Sequence, residues 1–298
     1  MAIEPAAPAP TQGTPGLART RDGRELFYQA LPGPADGRAP TVVFESGLAA
    51  SRSFWGLVQP LVAQRARAVV YDRSGLGRSP ADAQPRSMQR MADDLNDLLD
   101  HLDPGPFVLV AHSGGGPLVR AATAAQPQRI AGLVLADVSD EACELIFTPA
   151  FRRLEKFAHV ASWLLARCGL LERCYRKAIA VLPEDVLADL RREGFTMAVM
   201  RTRGAELAGL VAALQAYRNQ PPVLPDIPLT VISGALADFG MSAQIRAAAN
   251  AAHAHRARQS PQGRHVLAER SGHGLILSEP GLVADEIARL LGMASNRG

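Results

Sequence analysis

Cysteine is scarce in these 298 residues: Cys143, Cys168 and Cys174 make an odd three, and none stands in a Cys-x-x-Cys pair. That argues against a disulfide framework and against a zinc site of paired cysteines, and it fits a reducing compartment, the cytoplasm. Lysine is scarcer still. Only Lys156 and Lys177 stand among 32 basic residues, no block of five or more like charges occurs, and the net charge is +3. Nothing in that balance calls for nucleic acid or a membrane as partner; a small-molecule substrate is expected, and the oligomeric state is left open. Also missing are a Gly-rich phosphate loop, a dinucleotide fingerprint and a metal-ligand cluster, so no cofactor is called for. The one long apolar run, 157–171, carries His159 and Arg167 and falls short of the roughly 20 residues of a membrane span. The N-terminal MAIEPAAPAPTQGTPG has neither the basic region nor the apolar core of a secretory signal. Its proline and alanine content predicts a disordered tail over 1–16.

What is present is a chain with 47% hydrophobic residues, enough to bury a large core. Short β-rich runs at 25–30, 41–46, 67–72, 107–112, 131–137, 229–234 and 265–270 alternate with amphipathic stretches at 54–64, 88–102, 116–126, 243–255 and 282–292. Most of the later runs are apolar at every position, the mark of strands covered on both faces. The pattern predicts an α/β fold, a doubly wound, mostly parallel sheet. It breaks once. Some 80 residues after Asp137 hold helical patterns and no strand, which predicts an all-helical insertion over 138–222, within a core made of 17–137 and 223–298. At the carboxyl ends of the strands it would act as a cap.

The stretch LVAHSGGGP, 109–117, runs from a strand into a helix with Ser113 at the corner. Ala111, Gly114 and Gly115 are the small neighbours that a strained strand-to-helix turn requires. Such a turn lifts the hydroxyl out of the backbone and aims the first free N–H groups of the helix at any oxygen turning negative beside it. A serine hydroxyl needs a base to become a nucleophile. His273 follows the last strand in a loop of small residues, and His112 is expected to point away from the turn if Ser113 points out. The base in turn needs a carboxylate to hold its tautomer. Asp137 closes one strand and Asp238 follows the next. Either suits, with Asp238 slightly preferred because it lies after the strand that more often carries the acid in folds of this chain order.

From about residue 20 to 293 the sequence resembles the α/β-hydrolase superfamily, in its capped esterase-like and epoxide-hydrolase-like branch. AHSGG stands where the superfamily has G-x-S-x-G, with Ala111 replacing the first glycine. FESGLAASRSFW, 44–55, is similar to the loop that donates an oxyanion-hole N–H, with Ser46 in place of the usual histidine. By that match Leu48 and Gly114 would be the two donors. YDRSGLGRS, 71–79, resembles the D-x-x-G-x-G-x-S turn, with Ser74 where arginine is commoner and with Asp72 and Arg78 in structural roles. SGHGLILSEP resembles the histidine loop. The resemblance implies a serine hydrolase cleaving a small or medium apolar ester, lactone or amide through an acyl-enzyme, with Ser113, His273 and Asp238, or Asp137, as its triad. It speaks against dehalogenase and epoxide-hydrolase chemistry, whose nucleophile at the turn is an aspartate. Phe147, Phe151, Phe157, Trp163, Phe195 and Met197 would make the insertion an apolar substrate lining. Left open are a C–C hydrolase, a haloperoxidase or perhydrolase, a non-catalytic ligand receptor, and a proline-iminopeptidase-like enzyme using Glu141, Glu144 or Glu206 to hold an amine.

Overall fold

Every residue of the strand 107–111 is buried, as are nearly all those of 41–45, 68–71, 130–136 and 229–234. Strands apolar on both sides must lie between two layers of helix, and they do. The computed structural model describes residues 9–35, 37–102, 105–238 and 241–295. Its sheet is formed by β1 (Thr14–Arg19), β2 (Glu25–Leu31), β3 (Thr41–Glu45), β4 (Ala68–Tyr71), β5 (Phe107–His112), β6 (Ile130–Ala136), β7 (Leu229–Gly234) and β8 (Gly263–Ala268), in the order β1-β2-β4-β3-β5-β6-β7-β8. The first two strands join antiparallel, and everything from β4 to β8 is parallel. The expected α/β architecture is therefore the observed one.

Strand β1 falls partly inside the stretch expected to be disordered. Its sequence, TPGLAR, has only Leu17 and Ala18 as apolar residues because it is an exposed edge strand, so periodicity is silent there. Ahead of it, Gln12 is buried and donates to the Arg52 carbonyl, and Thr11 is held by the Asp185 carboxylate. The tail expectation thus fails from Thr11 onward, and residues 1–8 lie outside the described residues.

Helices α1 (Val58–Val62), α2 (Met88–Leu102) and α3 (Gly115–Ala125) lie between β3 and β6; α8 (Ala243–Arg258) links β7 to β8, and α9 (Leu275–Ser278) and α10 (Pro280–Ser295) follow β8. Between β6 and β7 lie α4 (Pro149–Arg167), α5 (Leu171–Ile179), α6 (Glu184–Glu193) and α7 (Met197–Tyr217), the expected helical insertion. Thr148 and Thr196 cap α4 and α7 by accepting from Phe151 N and Val199 N. The first residues of the insertion as drawn from sequence instead pack with the core. Val138 fills the space beside Gly116, Asp140 pairs with Arg256, and Glu141 pairs with Arg120 and Arg256.

Buried ion pairs fasten the insertion to the sheet. Arg52, wholly buried, reaches Asp72 of the core at 2.6 Å and Glu193 and Asp189 of α6 at 2.7 Å each. Asp72 and Arg78 are structural in this sense: Asp72 also accepts from Arg78 N, and Arg78 Nε donates to Glu193. No described helix is long and apolar enough to cross a membrane.

Candidate active site

Among the described residues only three non-glycines have positive φ: Ala49 at 58°, Ser113 at 53° and Asp137 at 46°. Side chains seldom tolerate this conformation, and where it persists the surroundings impose it. All three meet at the carboxyl ends of β3, β5 and β6. Ser113 turns directly from β5 into α3, with its N–H held by Ala136 O and its carbonyl accepting from Gly116 N and Ser139 N. The turn is crowded: a Cβ on Gly47 would lie 3.0 Å from Ser113 Cβ, and one on Gly115 would lie 2.8 Å from Ser46 O. A side chain at either place would force its neighbours to shift.

The Ser113 hydroxyl lies 3.0 Å from His273 Nε2, and His273 Nδ1 lies 2.7 Å from Asp137 Oδ2. Asp238 does not reach the ring. Its exposed carboxylate accepts the backbone N–H of His273 at 2.5 Å, against Gly272, and so holds the loop. The preference for Asp238 is corrected to Asp137. The left-handed backbone of Asp137, one residue past β6, turns its carboxylate under the imidazole, whereas Asp238 stands several residues beyond β7 on the outer side of the loop. Asp137 is buried, and its other oxygen accepts from Gly234 N at 3.0 Å and Arg246 Nη1 at 2.5 Å. Burial alone would raise its pKa; the bonds from His273 and Arg246 more than offset that and hold it well below the carboxylate range.

His112 does not turn away from the site as expected. Its ring lies against that of His273, centroids 4.7 Å apart, and its Nε2–H donates to the His273 carbonyl at 2.8 Å. Burial first, and the neighbouring His273 second, push its pKa down to about 4, so it stands neutral beside the catalytic candidate.

The structure places Leu48 and Gly114 side by side. A Cβ on Gly114 would lie 3.4 Å from Leu48 N. Neither N–H has an acceptor among the described residues. Two unspent donors beside a serine hydroxyl are suited to receive a developing oxyanion.

The loop bearing Leu48 is clamped by Arg73 and Glu45, which sequence reasoning passed over, and by Glu206, which it considered only as a partner for an amine. Arg73, buried at the end of β4, donates to Ser46 O and Gly47 O at 2.7 Å each and to Glu45. Its Nε and Nη2 reach Glu206 of α7 at 2.8 and 3.0 Å, and Glu206 Oε2 also accepts Ala49 N at 3.1 Å. Burial would raise the Glu206 pKa, but Arg73 keeps it lowered and the carboxylate charged. A glutamate and an arginine at the ends of two otherwise apolar strands, FES and YDR, were the available signal, since buried charges must find one another.

Glu206 is thus fully engaged. So are Glu141, between Arg120 and Arg256, and Glu144, paired with Arg218. None is a free carboxylate awaiting an amine. Of the expected apolar lining, Trp163, Phe195 and Met197 pack with Leu76, Met200 and Ala49 beside the Leu48 loop, while Phe157 faces solvent. Leu210 of α7 covers the turn, 3.3 Å from where a Gly114 Cβ would stand.

Residues 40–158 match the family model for the alpha/beta hydrolase fold. With the sheet described above, that match gives the chain the α/β-hydrolase fold. It is 26% identical over 302 residues to an AB hydrolase superfamily protein of Gibberella zeae, covering 90% of this chain and 91% of that protein. A Caulobacter vibrioides protein named as a carbamate hydrolase, RutD, is 36% identical over 117 residues, 39% of this chain; the chain spans only 42% of that relative. Among solved structures, an α/β hydrolase from Nostoc superimposes with a TM-score of 0.75 at 17% identity, covering 94% of this chain and 98% of the other.

Proposed function

We propose that this hydrolase is a serine esterase acting on a small or medium apolar ester, lactone or amide. The observation that carries the reading is the unbroken line from Asp137 Oδ2 through the His273 ring to Ser113 Oγ, at 2.7 and 3.0 Å. Ser113 Oγ attacks the carbonyl carbon as His273 Nε2 takes its proton, and Asp137 steadies the imidazolium that forms. The carbonyl oxygen, now negative, is received by Leu48 N–H and Gly114 N–H; losing one such donor typically costs about 10²- to 10³-fold in rate. His273 returns the proton to the departing alcohol or amine. Water, deprotonated by His273, then attacks the acyl-enzyme and releases the acid.

The insertion acts as the cap, with Leu210 and the cluster around Trp163 and Met197 bounding the acyl side. A carbamate is the second reading, favoured by the name of the Caulobacter relative, because its carbonyl meets the same attack. The Cys168 and Cys174 thiols, free and exposed, suit a reducing cytoplasm.

The test is hydrolysis of p-nitrophenyl esters from acetyl to decanoyl, with an aryl carbamate alongside, by the wild type and by Ser113→Ala. We expect turnover that peaks at a short or medium chain and falls by about 10⁴-fold or more in the variant, with the thermal midpoint retained. Residual hydrolysis near wild-type level would remove Ser113 from the mechanism.

A further inference from the structure

Helix α4 presents its apolar stripe to the wrong side for a core helix. Of its 19 residues only Ala166 is buried. Leu154, Phe157, Val160 and Leu164 are 48, 71, 54 and 52% exposed. At about 100° per residue their spacing gathers all four into an arc of about 120°. With Tyr175 and Val181, six of the eleven large apolar side chains exposed among the described residues fall between 154 and 181. An amphipathic helix of a folded domain ordinarily turns such a stripe inward.

The charge around it is of one sign. Arg153 falls within that arc near the start of α4, Lys156 and Arg167 border it, and Arg173, Arg176 and Lys177 follow on α5; all six are exposed. None of them is in an ion pair among the described residues. The segment's two carboxylates are already taken, Glu155 by Arg152 and Glu172 by Arg191. Both lysines of the chain are here. Because these cations are spread along two helices rather than clustered in a run, the scan for charge blocks misses them.

We infer that this face docks on an anionic lipid surface, with α4 lying in the plane of the interface. An interfacial helix needs an apolar side to sink below the headgroups and cations to meet their phosphates, and α4 carries both. A second copy of the chain fits worse, since pairing through this face would set six unpaired cations against six more. A neutral apolar partner would leave those cations unsatisfied. The contact is independent of the catalytic reading, because Leu154, Phe157, Val160 and Leu164 are exposed and none belongs to the apolar clusters beside the Ser113 turn and the Leu48 loop.

The test is flotation of the full chain with vesicles of phosphatidylcholine alone and of phosphatidylcholine containing phosphatidylglycerol. We expect flotation only with the anionic vesicles and release in about 1 M salt, where the screening length falls to about 3 Å. Arg153→Glu with Lys156→Glu should weaken binding by more than tenfold, each cation at such a surface contributing about fivefold. Phe157→Asp with Leu164→Asp should abolish it, with the thermal midpoints of both double variants unchanged because the positions are exposed. The proposal fails if the wild type stays with the buffer, or if it floats equally well with neutral vesicles. It fails equally if neither double variant loses binding. Concentration-dependent dimers that Phe157→Asp abolishes would assign the face to a second copy instead.

Discussion

Asp137 and Asp238 differ in what they hold. Asp137 reaches the imidazole, whereas Asp238 accepts only the His273 backbone N–H. Asp137→Asn should therefore cost about 10⁴-fold in kcat, the loss that follows when the base is left in the wrong tautomer. Asp238→Asn keeps an acceptor for the N–H and should lose less than about tenfold, the loss expected of a loop slightly misplaced rather than a base disabled. Steady-state kinetics on one ester decides between them; the reverse ranking would return the acid role to Asp238. His112 makes a separate prediction. Its pKa of about 4 lies below the ordinary 6.5, so between those values the unfolded chain binds the extra proton and the folded one does not. Its contribution is complete above pH 6.5 and is lost as pH falls toward 4, an effect of about 3 kcal/mol at most. The thermal midpoint should drop from pH 7 to 4.5, and less steeply in His112→Gln.

Helix α7 does two things with one turn. Leu210 covers Gly114, and Glu206 closes the Arg73 clamp on the loop that presents Leu48. The insertion is thereby coupled to the Leu48 loop through a buried pair rather than through packing alone. Glu206→Gln keeps the shape and an acceptor for Ala49 N but removes the charge facing Arg73. We expect kcat to fall between about ten- and a hundredfold, part of the loss of one oxyanion donor, with KM little changed. Stability should fall as well, because an arginine left partly uncompensated in the interior is costly, about 3–5 kcal/mol when a partner is removed outright. An unchanged kcat beside a lowered thermal midpoint would make Glu206 a stabilising residue only.

Across the whole molecule, Arg52 with Asp72, Glu193 and Asp189, and Arg73 with Glu206, bind the insertion to the sheet. Core and insertion should then unfold together. The two tryptophans report on each side, Trp55 in the core and Trp163 in the insertion. Single-tryptophan variants, each with the other changed to Phe, should give coincident denaturant midpoints by fluorescence and match the far-ultraviolet signal. A lower midpoint for Trp163 alone would mean that the insertion opens first. Much of this was legible in the chain: the alternation of buried strands and helices, the strand-to-helix corner at Ser113 and the small-residue loop at His273 are local patterns, imposed by backbone sterics and side-chain periodicity within a few residues. β1 was not, since an exposed edge strand has no apolar alternation to read. The choice of Asp137 across 136 residues from His273 depended on where two loops meet in space. The same holds for the pairing of Arg73 with Glu206 and for the outward turn of α4. The sequence by itself determined the fold and singled out Ser113 and His273 as the proposed nucleophile and base, because both readings rest on short-range geometry. Only the tertiary structure decided the acid, the clamp and the exposed face, because each depends on distances between segments that the chain brings together last.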